Sequence, residues 1–233
     1  MHPGFAPALV ARSNDGFLPI LVVASILFAI ISLVSQKKRR ARQHDQARQL
    51  AVTHNLVHDI RMPVAPDERF KLLPRGSRTN VLRAGDRPET LYGFLLEYRS
   101  GKTTIARIVA VGNIGDSVAH LSFRRSNLLS SLDPNDIEIG DVAFDDRWSI
   151  KCVDTGFVQW LLASTNLRHW LGQFDDNVSA PEFEAHGRHV VVSVPGHDLA
   201  RIPEVLGWAR TFGELIQPRP LPPPTPMSET PRF

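Results

Sequence analysis

The sequence predicts an α+β protein with an N-terminal transmembrane helix, followed by an antiparallel sheet with packed helices. Three patterns support this fold class. Residues 17–34 form an uncharged apolar run. Short strand-like segments separated by glycine-bearing turns follow between residues 81 and 124. Two later segments, 157–171 and 202–216, carry apolar residues at spacings of three and four, which is typical of amphipathic helices.

The apolar run reads FLPILVVASILFAIISLV, and its only polar side chains are Ser25 and Ser32. As a helix it would extend about 27 Å, close to the hydrocarbon thickness of a bilayer. Pro19 falls in the first turn, where no helical hydrogen bond is lost. A buried core helix would need a polar face, which this run lacks. We therefore predict a transmembrane helix over residues 17–35.

Basic residues follow the run instead of preceding it. They are Lys37, Lys38, Arg39, Arg40 and Arg42, which we call the basic collar. A cleavable signal peptide has the opposite order and a small-residue cleavage site. The positive-inside rule then predicts an extracytoplasmic N-terminus over residues 1–16 and a cytoplasmic C-terminal domain, at the plasma (inner) membrane. A reducing compartment also suits Cys152, the single cysteine.

The basic collar accounts for the high isoelectric point of the chain. Residues 37–48 carry six basic side chains and one acidic one, whereas the whole chain has a formal net charge of only +3. The later domain is therefore slightly acidic, so we predict no nucleic-acid partner. The collar either contacts anionic lipid headgroups or serves only as a topology signal.

The rest of the chain divides into four parts. Residues 36–60 are predicted as a basic juxtamembrane stalk helix, because they are rich in Arg, Gln, Ala and Leu with few apolar positions. Pro63 and Pro66 make residues 61–69 a linker. Residues 70–217 are long enough for one cytoplasmic α+β domain. The proline-rich tail, 218–233, favours an extended, disordered conformation.

The first half of the domain predicts a meander of antiparallel strands. The strand-like segments are 81–83, 91–99, 103–111 and 118–124. The turns between them lie at 85–88, 100–102 and 112–116, and each contains glycine. Because no helix-length segment separates these strands, the pattern disfavours a βαβ nucleotide-binding sheet.

In the second half of the domain, the spacing of apolar residues changes from a strand pattern to a helical one. A strand is predicted at 147–153 and a helix over 155–171, opened by Asp154 or Thr155 as its cap. Two further strands, 181–185 and 188–194, are predicted to form a hairpin that turns at His186 and Gly187, before the last helix.

Several segments resemble a broad group of uncharacterised bacterial membrane-anchored proteins. The first is the apolar run together with the basic collar that follows it. The others are Phe70–Leu73, Asn80–Ala84, Gly93–Tyr98, and Phe144–Ile150 with the predicted helix at Trp160–Leu162 after it. The resemblance implies a membrane-anchored α+β fold, and it brings no established activity and no catalytic residues.

No catalytic, cofactor-binding or metal-binding residue is predicted. The Gly101–Thr104 segment lacks the earlier glycine of a phosphate-binding loop and joins two strands. His54 and His58 would share a face of the stalk helix without a further ligand. His186 and His189 would point to opposite sides of paired strands. The adjacent acidic pairs 145–146 and 175–176 are expected in turns and caps.

These observations support a single-pass membrane protein whose cytoplasmic domain acts by binding, as a scaffold or regulator with an unidentified protein partner. The alternative is a membrane-tethered enzyme whose site is assembled from residues distant in sequence. A third hypothesis is lipid sensing through the basic collar.

Overall fold

The computed structural model describes residues 17–59, 70–85, 90–126, 133–174 and 180–217, excepting the side chains of 17–21. The chain divides into two units, Met1–Asp45 and Gln46–Phe233. The predicted N-terminal segment 1–16, the linker 61–69 and the tail 218–233 all lie outside the described residues.

Helix α1, Phe17–Thr53, includes the predicted helix over 17–35 and most of the predicted stalk. Among the described residues, no helix is both long enough and apolar enough to cross a bilayer. The transmembrane assignment of residues 17–35 therefore remains a prediction.

Helix α1 ends at Thr53, and strand β1 (Val57–Asp59) occupies positions where the sequence predicts helix to residue 60. The reason is Asn55, which adopts a left-handed conformation with φ 51°. The amide of Leu56 donates to the carbonyl of Ala51 at 2.8 Å, which closes the helix end in the manner of a Schellman motif.

The last turns of α1 belong to the core of the second unit. Ala47 is fully buried and Ala51 almost so, while Leu50 and Leu56 pack against the same apolar cluster. The sequence suggests a solvated stalk here because the buried positions are alanines, which contribute little to an apolar pattern.

In the part of the second unit that the structure describes, six strands form an antiparallel sheet. After β1, its strands are β2 (Ser77–Ala84), β3 (Leu91–Ser100), β4 (Thr103–Arg125), β5 (Trp148–Cys152) and β6 (Glu182–Pro195). Along one edge of β4 lie first β3 and then β5, and β6 pairs along the other edge. The predicted antiparallel sheet is confirmed.

Strands β4 and β6 are each continuous where the sequence predicts two strands and a turn. The predicted turn at 112–116 instead lies in the middle of β4, where the pairing register shifts between Asn113 and Val118. Gly112 has a packing role there, since a Cβ on it would overlap the side chain of Leu91. The predicted hairpin at His186 and Gly187 is wrong, because β6 continues through this point without reversing.

The shifted register changes which side chains share a face. Val191 and Glu184 are an odd number of residues apart, so a regular strand would place them on opposite faces. In this structure both face the segment 70–73: Val191 shares an apolar cluster with Phe70 and Leu72, and the Glu184 carboxylate accepts from the Leu72 amide. The irregular stretch thus creates one mixed face, apolar at one end and polar at the other.

One ion pair shows that the β4–β6 ladder curves strongly. Arg107 lies opposite Pro195, and its Nη2 donates to Glu182 Oε2 at 2.8 Å. Glu182 and Pro195 are the two ends of β6, which would be about 40 Å apart in a straight strand. The strand therefore bends over the face that carries Arg107, and that face encloses the segment 70–73.

The helices cover the opposite face of the sheet. Helix α5 (Ile202–Ile216) follows a 3₁₀ turn at Leu199–Arg201 and buries Ile202, Val205, Ala209 and Phe212 against β3, β4 and β6. Shorter helices α2 (Val142–Asp145), α3 (Thr155–Ser164) and α4 (Leu167–Leu171) complete this layer. The α+β class with packed helices is confirmed.

The predicted helix over 155–171 is divided into α3 and α4. Its start agrees with prediction, because the Asp154 carboxylate accepts from the Phe157 amide at 2.9 Å as an N-cap. The break lies at Thr165, whose hydroxyl donates to the Leu161 carbonyl at 2.7 Å and accepts from the Leu167 amide at 3.1 Å. This side chain competes with the helical backbone bonds.

Substituting Gly93 tests the packing of α5 on the sheet. A Cβ at Gly93 would overlap Ile202 and lie 3.1 Å from Leu206 Cγ. We expect Gly93→Ala to lower the free energy of unfolding by about 1–3 kcal/mol, measured by urea denaturation of the full chain in detergent. The control is Gly207→Ala, where the new methyl meets open space and should raise that free energy by up to about 1 kcal/mol. Equal effects would contradict the packing.

Candidate functional site

The surface of α1 between residues 22 and 34 is apolar on every side. Nine large apolar side chains there are about half exposed or more, from 49% for Val34 to 76% for Phe28. They are Val22, Val23, Ile26, Leu27, Phe28, Ile30, Ile31, Leu33 and Val34. Because successive helical residues are about 100° apart, these positions surround the helix. Such a surface is a candidate for burial in an apolar environment.

The basic collar follows directly on the same helix. Lys37, Lys38, Arg39, Arg40 and Arg42 are all exposed, and consecutive positions distribute their charges around α1. A ring of cations directly after an apolar helical surface can contact phosphate groups at the edge of a bilayer.

The second candidate is a polar cluster centred on Glu184, whose side chain is completely buried. Oε1 accepts from the Lys71 amide at 3.1 Å, and Oε2 accepts from the Leu72 amide at 2.8 Å. His120 Nε2 lies 2.9 Å from Oε1, and Arg124 Nη2 lies 3.9 Å from Oε2. Two backbone amides, a histidine and an arginine thus surround the carboxylate.

Aromatic rings extend this cluster to the bend of β6. His120 and His186 lie 5.8 Å apart between ring centroids. Phe70 makes edge contacts with His186 at 6.3 Å and with His189 at 6.5 Å. The sequence places the two β6 histidines on opposite faces, but the register shift at Gly187 brings both to the Phe70 ring.

The geometry of Glu184 suits a structural role. Both carboxylate oxygens are engaged by donors from the protein, so neither is directed at an open space where a substrate proton could lie. A general base needs such access. Among the described residues, no group of three or more His, Cys, Asp or Glu side chains is arranged to hold a metal ion.

The other sequence candidates are dispersed. His54 is exposed just after α1 and His58 lies in β1, so the two share no helix face. His197 is exposed after β6, and Gly101 with φ 61° forms the β3–β4 turn. The Asp145 carboxylate accepts hydrogen bonds from the amides of Ile139 and Gly140, as expected for a turn residue. The pair 175–176 lies outside the described residues.

Cys152 is half buried at the end of β5. Burial raises the pKa of its thiol, and the amide of Asp154 donates a hydrogen bond to Sγ at 3.4 Å. Because only the thiolate is a good nucleophile, the thiol is poorly reactive near neutral pH. This environment agrees with its interpretation as a small apolar residue.

Sequence reasoning missed Glu184 and His120 as partners. The signal that could have indicated them is the alternation Glu182, Glu184, His186 within a segment of otherwise buried apolar type. This alternation indicates that the three side chains share one face of β6. Their partners lie in β4 and at residues 71 and 72, and no local sequence pattern connects those segments to β6.

Removing the Glu184 carboxylate tests its role in holding the segment 70–73. Glu184→Ala leaves buried donors without an acceptor, so we expect a loss of about 3–5 kcal/mol in the free energy of unfolding. Amide hydrogen exchange at Leu72 should accelerate as well. The control is Glu182→Gln, which removes the charge of the pair with Arg107 but keeps an oxygen that can accept its hydrogen bond, so its cost should be clearly smaller. Similar losses for both variants would argue against this role.

The reactivity of Cys152 provides a second test. Since its thiol pKa is raised, alkylation by iodoacetamide at neutral pH should be slower in the folded chain than in the chain unfolded by urea. The rate in the folded chain should rise with pH, and this rise should come at a higher pH than in the unfolded chain, because burial raises the pKa of the thiol. A folded-state rate at neutral pH that exceeds the unfolded one would contradict this environment.

Comparison with known proteins shows a related fold. No protein-family model matches the chain, and no match was found among curated proteins. Among solved structures, the chain is similar to the crystal structure of the mycobacterial trehalose monomycolate transport factor A, TtfA, with a TM-score of 0.53 and 13% sequence identity. The similarity covers 78% of this chain and 98% of that one. At this identity the likeness concerns the fold alone.

Proposed function

We propose that this chain is a single-pass membrane protein whose cytoplasmic α+β domain acts by binding, as a scaffold or regulatory factor at the inner membrane. The observation that carries the proposal is the apolar surface of α1, exposed on every side and followed at once by the exposed basic collar. The uncharged run 17–34 is long enough in sequence for a span. The collar orients it with the domain inside.

A binding role is favoured because the buried carboxylate and the thiol of the domain are not in environments that would make them reactive. Glu184, the most buried charged group among the described residues, is engaged by protein donors and holds the segment 70–73 in place. The sole cysteine has a raised pKa. These groups therefore support the fold and offer no nucleophile or base to a substrate.

The fold likeness agrees with an accessory role. The name of the similar protein describes a transport factor for trehalose monomycolate. By analogy at the level of fold, we propose that the domain assists a membrane system through contact with a protein partner. Crosslinking from the membrane-bound chain would identify that partner.

Reporter fusions test the proposed topology. A reporter at the C-terminus should read cytoplasmic, and the chain should resist extraction from membranes at alkaline pH. Replacing the five collar residues by Glu should invert or mix the orientation, because cytoplasmic Lys and Arg set it. The control replaces Arg99 and Lys102, two exposed cations at the β3–β4 turn, and should leave the orientation unchanged. An exported C-terminus in the unaltered chain would contradict the proposal.

A further inference from the structure

A cleft of about 310 Å³ lies beside the C-terminal half of α5 and belongs to neither candidate described above. Its floor is formed by Leu91, Ile114, Val190 and Ala209. The volume is at the small end of the range for ligand pockets, about 300–1,000 Å³, so it can hold one headgroup-sized molecule and not a whole lipid.

The floor exists because α5 approaches the irregular part of β4 closely. A Cβ on Gly213 would lie 2.9 Å from Ile114 Cγ2, so only glycine permits this approach. The same stretch turns Asn113 outward, and its exposed side chain lines the rim together with Gln217 at the end of α5. The cleft thus combines an apolar base with hydrogen-bonding groups at its edge.

The rim also carries two opposite charges that do not pair. Arg210 and Glu214 are both exposed, and both line the cleft. Among the described residues of the second unit, neither side chain has an ion-pair or hydrogen-bond partner. At the start of α5, by contrast, Arg201 of the preceding 3₁₀ turn pairs with Glu204 at 3.4 Å. Both charges at the rim of the cleft are therefore available to a ligand.

We infer that this cleft binds a small zwitterion, with its phosphate or carboxylate at Arg210 and its primary ammonium at Glu214. The Cβ atoms of residues four apart on a helix are about 5–6 Å apart, so a ligand with a two-carbon bridge between its charges can contact both side chains at once. A simple anion would meet Glu214 and a simple cation would meet Arg210, so the rim favours a molecule with both charges. Its carbon atoms pack on Leu91 and Ile114.

Phosphoethanolamine has this chemistry, either free or as the headgroup of a lipid. The test uses glycerophosphoethanolamine as the probe, titrated calorimetrically into the full chain in a neutral detergent. We expect saturable binding that weakens about tenfold or more in Arg210→Gln and in Glu214→Gln, because each removes one charge-assisted contact. Arg201→Gln, which lies outside the cleft, should bind like the unaltered chain.

Two further probes isolate the ammonium. Glycerophosphate lacks it, and glycerophosphocholine has no N–H donors on it, so both should bind more weakly. Absence of saturable binding, equal binding of glycerophosphate, or equal losses in Arg201→Gln would each overturn the inference. Circular dichroism of each variant confirms that it is folded.

The source of the ligand is then distinguished by the bilayer. If nanodiscs rich in phosphatidylethanolamine, but not those of phosphatidylcholine, compete with the soluble probe, the ligand is the lipid headgroup. If neither competes, the ligand is the free molecule. Both results support the zwitterion site, and the detergent titration is independent of the proposed membrane role.

Discussion

The backbone ladder between β4 and β6 contains the irregular stretch that determines which side chains of the domain meet. The register shifts between Asn113 and Val118, opposite a left-handed Gly187 with φ 58°. Because extra residues in a strand bend it and increase its twist, this stretch allows β6 to curve until Glu182 reaches Arg107. The left-handed Gly187, opposite these extra residues, interrupts the alternation of faces along β6, which brings Glu184 to the side of the segment 70–73. Curvature and the placement of the charged cluster thus have one cause.

Burying the Glu184 carboxylate costs free energy, and in return the carboxylate fixes the position of the segment 70–73. An isolated carboxylate with no exposed surface would be strongly unfavourable, but two amides, His120 and Arg124 surround this one. Compared with apolar packing, such an arrangement adds little net stability. Its value lies in specificity, because carboxylate oxygens fix the backbone of residues 71 and 72, whereas the apolar contacts of Phe70 and Leu72 could slide. The apolar cluster attracts the segment, and the carboxylate sets its position.

Much of the secondary structure could be predicted because its causes are local. The helix start at Asp154 depends on a cap one turn away, and the β3–β4 turn depends on Gly101. What could not be predicted depends on contacts across the chain. Gly112 and Gly187 look like turn residues in sequence, but one makes room for Leu91 and the other lies within a continuous strand. The Glu184 cluster depends on the resulting register, so no spacing within one segment could reveal it.

Charged groups that are paired within the protein support the fold, whereas exposed unpaired charges are available to other molecules. Arg107 with Glu182, and His120 with Glu184, are pairs between β4 and β6 that hold the curved ladder closed. Their hydrogen-bonding capacity is largely used within the protein, so a ligand would have to compete with existing bonds. The charges around α1 and at the α5 cleft differ, since they are exposed and lie beside apolar surface. An exposed charge next to an apolar area can gain a partner without first losing one. By this criterion, the basic collar of α1 and the charges of the α5 cleft are the groups in the described residues best placed to contact other molecules, while the pairs within the sheet support the fold.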